Sequence, residues 1–152
     1  MTFSIAGLCP RTGDAGCALA TSSTAAGARA PFVAPGMGVV LSQARSDPVL
    51  GLLGVKCLEA GRSAKETLAE MIAATPNSTW RQLAVLDRAG RAADFTGSEC
   101  TLHKGSRVGK GAVAVGNGLA NDKVVGATLE GFEARPDAPL AERLIMALEY
   151  GL

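Results

Sequence analysis

Apolar and polar residues alternate through the first eight residues of the chain, which is the period of a half-buried β-strand. Phe3 and Ile5 alternate there with polar neighbours. Turn-forming residues follow at positions 10–14, and a second apolar run covers residues 16–20. The pattern predicts that the chain opens with a β-hairpin, which ends in a cluster of four hydroxyl residues at positions 21–24.

The middle of the chain combines one buried strand with a pair of helices. Residues 36–44 are apolar enough for a strand that is buried on both faces. Ser46 or Asp47 can then accept from the free N–H groups of a helix that begins near Pro48. Residues 63–66 read Ser-Ala-Lys-Glu, a capping box that begins a second helix. Two helices joined by so short a link are expected to lie as a hairpin across a sheet.

The second half of the chain repeats this order of strands followed by helices. Residues 81–96 predict a second β-hairpin, and residues 113–117 predict another short strand. Asp122 is placed to cap a third helix. The last helix carries an apolar stripe at Leu140, Leu144, Ile145 and Leu148. This order favours a layered α+β sandwich in a single domain, with residues 25–35 and 101–111 as loops.

Composition excludes several classes of function. The chain has 15 Lys and Arg against 14 Asp and Glu, with no basic stripe and no acidic block. Nucleic acid and anionic membrane are therefore not expected as partners. The sequence has no run of roughly 18 apolar residues and no signal-peptide pattern, so we expect a cytoplasmic protein. The four cysteines lack metal-ligand spacing, so we expect reduced thiols, no metal and no cofactor.

Several ordered segments carry a family resemblance: TFSI, ATSSTAAGARAPF, SQARSDPVLG, RQLAVLDRAGRAADFTG and GNGLAN. Together they resemble a bacterial family of unknown function called DUF1028, over essentially the whole chain. The resemblance implies an Ntn (N-terminal nucleophile) hydrolase-like fold, a four-layer αββα sandwich with two antiparallel sheets between helix layers. Chains of that family continue beyond the last helix. We therefore expect that this chain is truncated or is a fragment of a processed precursor, with a naturally short member as the alternative.

Thr2 is the candidate nucleophile. It follows the initiator methionine, whose removal a small second residue normally permits. Thr2 would then carry a free α-amine beside its hydroxyl, a pairing used for nucleophilic catalysis, and the resemblance implies this role. A retained Met1 would abolish the amine. The lysine and aspartate that proteasome-like members use are replaced here by Gln43 and by the uncharged Thr21 and Ser22. The alternative is that Thr2 only begins an edge strand.

Other polar residues are candidates for contacts with a substrate. Asn117 lies between two glycines directly after a strand, where its amide could hold an oxyanion or could form a turn. Ser22, Ser23 and Thr24 could orient a substrate amide or cap a turn. Arg29 lies among small residues and could clamp a carboxylate or remain a solvated charge.

Two further polar residues lie on or beside the buried strand at 36–44. Gln43 interrupts an apolar run, so its amide needs a partner in the protein or in a ligand. Asp47 is foremost a helix cap, with a role in substrate binding as the alternative.

The resemblance, together with these residues, implies an Ntn-type amidohydrolase that cleaves the C–N bond of a small, anionic metabolite. The alternative is a non-catalytic protein that uses the same fold for small-molecule binding or assembly. About six strands are few for two full sheets. We therefore also expect a homo-oligomer, or a complex with a C-terminal fragment of the same precursor. Such a partner should complete a sheet edge and cover Leu144 and Leu148.

Overall fold

Eight strands and four α-helices make up the fold in the computed structural model, which describes residues 1–152. The first half contains β1 (Thr2–Leu8), β2 (Ala15–Thr21), β3 (Pro31–Ala34), β4 (Gly38–Ala44), α1 (Pro48–Glu59) and α2 (Ala64–Ala73). The second half contains β5 (Arg81–Asp87), β6 (Ala92–Thr96), β7 (Gly105–Gly109), β8 (Ala112–Asn117), α3 (Val124–Glu133) and α4 (Leu140–Gly151).

The strands form two antiparallel sheets that face each other. One sheet has the order β2-β1-β8-β7, and the other has the order β3-β4-β5-β6. Helices α3 and α4 pack on the outer face of the first sheet, and α1 and α2 pack on the outer face of the second. The result is the predicted four-layer αββα sandwich.

Alternation along β1 explains how this strand serves two cores at once. Phe3 and Ile5 pack under α3 and α4, whereas Ala6 belongs to the layer between the sheets. Successive side chains of a strand point to opposite faces, so Thr2 and Ser4 point with Ala6 towards the second sheet. The layer between the sheets is otherwise built from alanine, valine and leucine residues: Val39, Leu41, Ala84, Leu86, Val113 and Val115.

Glycine allows the helices to approach the sheets closely. A Cβ atom on Gly51 of α1 would lie 2.1 Å from the ring of Phe32 in β3. No real side chain tolerates such a distance, so with alanine at this site either the Phe32 ring or α1 would have to move.

Strands β3 and β7, each at one edge of its sheet, correct the sequence-based prediction, which placed loops at residues 25–35 and 101–111. Each sheet therefore has four strands, so the fold has eight strands in total where about six were expected. Edge strands pair on one side only and keep solvent-exposed residues, such as Val33 in β3 and Val108 in β7. Their hydrophobic pattern is correspondingly weak, and their formation depends on the neighbouring strand.

The last helix also differs from expectation. Leu144 is only 8% exposed and packs in the core of its own chain, and Leu148 is partly buried against the same core. Ile145 of the predicted stripe is 55% exposed, while Arg143 is buried. Leu144 is thus covered by its own chain and not by a partner as expected, because α4 lies on β1 and β2 through this face, whereas Leu148 keeps a partly exposed surface.

Two predicted helix starts are confirmed. Asp47 caps α1, since its Oδ1 accepts from the N–H of Val49 at 3.0 Å. Ser63 and Glu66 form the capping box of α2.

The start of α3 is different from the prediction. Its N-cap is Lys123, which makes no side-chain cap. Asp122 instead lies 3.0 Å from Nδ1 of His103. The predicted cap at Asp122 is therefore wrong, because its carboxylate is directed to the preceding loop.

The four cysteines are all free. None of the helices is both long enough and apolar enough to cross a bilayer.

Asp87 joins the second hairpin to the helix pair. One carboxylate oxygen accepts from the N–H groups of Ala89 and Arg91, at 2.9 and 3.1 Å. The other accepts from the N–H of Ala64 at 3.0 Å and from Nε of Arg91 at 2.9 Å. Burial alone would raise the pKa of Asp87, but these hydrogen bonds outweigh it and hold the pKa below its ordinary value.

We expect the substitution Asp87→Asn to lower the free energy of unfolding by about 2 kcal/mol at neutral pH, because hydrogen bonds to a charged acceptor are lost. The folded-state pKa is lowered, so the stabilisation is present above the ordinary pKa and is lost progressively as the pH falls from that value through the lower folded-state pKa. Urea unfolding at neutral pH and near pH 3 should show a smaller difference between variant and wild type at the lower pH. Asp137→Asn, at an exposed position, is the matched control. Equal stability of both variants at neutral pH would contradict this account.

Candidate functional site

Three strand ends meet at Thr2. It is the first residue of β1, which lies between β2 and β8 in the centre of its sheet. The register places Thr2 opposite Thr21 of β2 on one side and opposite Asn117 of β8 on the other. The fold therefore brings together both residues predicted as catalytic, and the alternative that Thr2 starts an edge strand is wrong.

The hydroxyl of Thr2 is paired with a second hydroxyl. Its Oγ1 lies 2.9 Å from Oγ1 of Thr21. Thr21 Oγ1 also lies 3.2 Å from the carbonyl oxygen of Met1, to which it can donate. Either hydroxyl of the Thr2–Thr21 pair can be the donor of their shared hydrogen bond.

The carbonyl of Met1 is held by several donors. Its oxygen accepts from the N–H of Ser22 at 3.1 Å, in addition to the Thr21 hydroxyl, and the Ser22 hydroxyl lies 3.4 Å away. The terminal ammonium of Met1 donates to Oγ of Ser22 at 3.2 Å. The Met1 carbonyl, whose carbon is bonded to the nitrogen of Thr2, therefore has several hydrogen-bond donors on the side of β2.

The loop after β2 folds around Arg29. One terminal nitrogen of Arg29 donates to the carbonyl oxygen of Thr24 at 2.5 Å, and the other donates to Oγ of Ser23 at 2.5 Å. Ala25 has a φ of 53°, a left-handed conformation that lets the chain turn back on itself. Arg29 therefore lies among the predicted binding residues Ser23 and Thr24 and fixes their loop.

A chain of buried polar side chains continues inward from this end of the sheets. Oγ of Ser4 donates to Oε1 of Gln43 at 2.7 Å, and Nε2 of Gln43 donates to Oε1 of Gln82 at 2.8 Å. Nδ2 of Asn117 donates to the same oxygen of Gln82 at 3.0 Å. Gln43 thus has the partner that its position requires, and this partner is provided by the protein itself.

Gln82 is the centre of this amide network, which comprises Ser4, Gln43, Gln82, Thr96 and Asn117. Its Nε2 donates to Oγ1 of Thr96 at 2.9 Å and to the carbonyl oxygen of Gly116 at 2.8 Å. Gln82 is fully buried. The network joins β1 and β8 of one sheet to β4, β5 and β6 of the other.

Sequence reasoning did not single out Gln82, Ser4 or Thr96. Gln82 interrupts the apolar run of β5 in the same way that Gln43 interrupts β4, so the same signal could have identified it. Ser4 and Thr96 carried no such signal, because a polar residue in a half-buried strand is ordinary.

Asp47 lies outside this group. Its Oδ1 caps α1, and its Oδ2 accepts from Arg81 at 3.2 Å. Both oxygens are therefore engaged in holding the start of α1 to β5.

Thr2 lines none of the five principal cavities of the molecule. No group of three or more His, Cys, Asp and Glu side chains is placed to hold a metal ion.

These features define an αββα sandwich of the α+β class, with a hydroxyl cluster at the start of its central strand and an amide network between its sheets. A family model described as "Family of unknown function (DUF1028)" matches residues 2–152. The chain therefore belongs to the DUF1028 family, as the sequence segments predicted.

A solved structure supports the same assignment. The crystal structure of protein SPO2555 from Silicibacter pomeroyi, labelled with the same family, superposes with a TM-score of 0.94 and 34% sequence identity. The similarity covers 99% of this chain and 69% of that chain. No curated protein matches the chain.

We expect Gln82→Met to lower the free energy of unfolding by about 3 kcal/mol or more. Methionine keeps the length of the side chain but leaves the amides of Gln43 and Asn117 without their acceptor. Chemical denaturation of Gln82→Met, Asn117→Ala and the double variant forms a cycle, in which the shared hydrogen bond should appear as non-additive losses. Strictly additive losses, or wild-type stability of Gln82→Met, would show that the network does not couple the sheets.

Proposed function

We propose that this protein is an Ntn-type amidohydrolase, in which Thr2 attacks the carbonyl carbon of a small, anionic amide and cleaves its C–N bond after Met1 has been removed. The observation that carries the proposal is the set of donors around the Met1 carbonyl. An amide carbonyl already lies next to Thr2 there, held by the N–H of Ser22 and the hydroxyl of Thr21. Removal of Met1 would leave these donors free for the carbonyl of a substrate.

The proposed reaction uses the α-amine of Thr2 as its base. A free α-amine has a pKa of about 8, so an appreciable fraction is neutral near neutral pH. The amine takes the proton of the Thr2 hydroxyl as Oγ1 bonds to the substrate carbonyl carbon. The negative charge that develops on the carbonyl oxygen is stabilised by the donors of Ser22 and Thr21.

Breakdown of this intermediate completes the cycle. The protonated amine gives its proton to the leaving nitrogen as the C–N bond breaks, which leaves an ester on Thr2. Water, activated by the same amine, then hydrolyses the ester and regenerates the hydroxyl. One N–H of the Asn117 side chain is bonded to Gln82, and we assign its second N–H to the oxyanion.

The remaining predicted residues are assigned to substrate binding and to support. Arg29 would bind the carboxylate of the substrate, next to the hydroxyls of Ser22, Ser23 and Thr24, in exchange for its contacts within the loop. Gln43 would act through Ser4 and would hold the strand that carries Thr2.

The alternative function, non-catalytic binding or assembly, has an observation in its favour. The amides of Gln43 and Asn117 satisfy one another through Gln82, and Thr2 lines no principal cavity. Amide groups that are hydrogen-bonded within the protein in this way can have a purely structural role.

Intact-mass measurement and Thr2 variants test the proposal. We expect protein purified from cells to begin at Thr2, and we expect Thr2→Ala to abolish hydrolysis of a panel of N-acyl amino acids. Thr2→Ser should keep measurable activity, because serine retains a hydroxyl beside an α-amine. Thr12→Ala, in the turn at the other end of β1, is the matched control and should be as active as wild type.

Quantitative retention of Met1 in active protein would overturn the proposal, since the base would then be missing. Full activity of Thr2→Ala would do the same. Removal of Met1 together with ligand binding but no turnover in any variant would favour the alternative function.

We further propose that the enzyme works as an assembly, either a homo-oligomer or a complex with a further fragment of its precursor. Strand β2 is an edge strand beside Thr2, and all seven of its residues are partly exposed. A strand or loop added there would enclose the space next to Thr2, where this chain by itself has no principal cavity.

Light scattering coupled to size exclusion is expected to give a mass well above the 15.4 kDa of one chain. Electrophoresis under denaturing conditions would separate a homo-oligomer, with one band, from a complex with a second fragment. A monodisperse particle of 15.4 kDa would contradict the assembly but would leave the proposal for Thr2 standing.

A further inference from the structure

A cavity of about 430 Å³ lies at the end of the sandwich opposite to Thr2. It is formed where three hairpin turns from both sheets meet the connection between α3 and α4. Leu8 at the end of β1 is part of its wall. Strand β1 has seven residues, so this cavity lies about 20 Å from Thr2 and is separate from the site proposed above.

Arg143 of α4 is the unusual residue of this cavity. It lines the cavity although the residue is only 5% exposed. Its Nε donates to the carbonyl oxygen of Phe132 at 3.1 Å, and its guanidinium lies 3.9 Å from the centre of the Phe132 ring. Its two terminal nitrogens make no hydrogen bond within the protein, and Arg143 takes part in none of the four salt bridges.

A buried guanidinium without an acidic partner is rare, because a charge removed from water needs compensation. The ring of Phe132 compensates part of the charge through a cation–π contact. The terminal N–H groups still lack acceptors. Only two buried side-chain polar atoms have neither solvent contact nor a hydrogen-bond partner, Thr67 Oγ1 and Arg81 Nε, so the terminal nitrogens of Arg143 are not fully buried. These groups therefore reach the cavity, where an acceptor could be supplied from outside the protein.

The rest of the lining indicates the chemistry of that acceptor. Lys110 and Glu133 are exposed at the cavity, so the charged residues there sum to one positive charge together with Arg143. The other side chains are apolar: Leu8, Pro10, Ala89 and Pro136. The planar fork of arginine matches the two oxygens of a carboxylate.

We propose that this cavity binds a small organic molecule with a single carboxylate, which Arg143 holds through its terminal nitrogens while the apolar part lies against Leu8 and the two prolines. Glu133 repels a second negative charge, which disfavours dianionic phosphate. The site does not depend on the function proposed for Thr2.

Sodium benzoate is a suitable probe, with benzamide as its neutral analogue of the same shape. In NMR spectra of the full chain labelled with ¹⁵N, millimolar benzoate should cause saturable shifts of the backbone signals of Leu8, Gly90 and Gly111. Benzamide should cause none, because the charge is missing. Inorganic phosphate should bind more weakly than benzoate, because it has no apolar part.

Three variants assign the binding to Arg143. We expect Arg143→Met and Arg143→Lys each to weaken benzoate binding about tenfold or more, because neither side chain offers the fork. Glu133→Gln should strengthen it, because a repelling charge is removed, and this variant decides the question if a change at position 143 impairs folding. Arg107→Met, on the exposed face of β7, is the matched control and should bind benzoate as wild type does.

The proposal is overturned if benzoate produces no saturable shift at the cavity, if benzamide binds equally well, or if Arg143→Lys binds as wild type does. Binding of phosphate without binding of benzoate would overturn the assignment of a carboxylate. If Glu133→Gln and the control Arg107→Met both bind benzoate with the affinity of wild type, the binding site lies outside this cavity.

Discussion

Gln82 is the centre of the hydrogen-bond network that joins the two sheets of this protein. Its amide accepts from Gln43 and Asn117 and donates to strands of both sheets. Ser4 donates to Gln43 and Ser106 donates to Asp94 across the same interface, and elsewhere the sheets meet through small and aliphatic residues. Hydrogen bonds are directional, so these contacts, with Gln82 at their centre, fix how the strands of one sheet lie over those of the other.

The position of Thr2 follows from this constraint. Ser4 lies two residues further along the same face of β1 and is bonded to Gln43. The network therefore holds the start of β1 in place, and with it the hydroxyl pair of Thr2 and Thr21. The function that we propose for Thr2 would need such support, since a small displacement of a reacting oxygen is costly in rate.

The two ends of the sandwich treat their buried polar groups differently. At the end of Thr2, each buried side-chain amide has a hydrogen-bond partner in the protein. The hydroxyls of Thr21 and Ser22 there form hydrogen bonds with Met1. At the other end, the buried guanidinium of Arg143 has only a carbonyl and an aromatic ring. The hydrogen bonds among these amides give rigidity at the first end, whereas the free donors of Arg143 at the second end face a cavity.

The sequence by itself determined the elements whose signals are local. The alternation of β1, the cap at Asp47 and the capping box at Ser63 each depend on residues a few positions apart, and the structure has them as predicted. The order of strands and helices also indicated a layered α+β sandwich, because each apolar face needs a layer to cover it, and the family resemblance implied its four-layer form. Only the tertiary structure decided that β3 and β7 are strands, that Gln43 is bonded to Gln82, and that Arg143 is buried while Ile145 is exposed. Each of these features depends on which segment, distant in sequence, lies next to the residue in space. The local pattern of apolar and polar residues does not specify that neighbour.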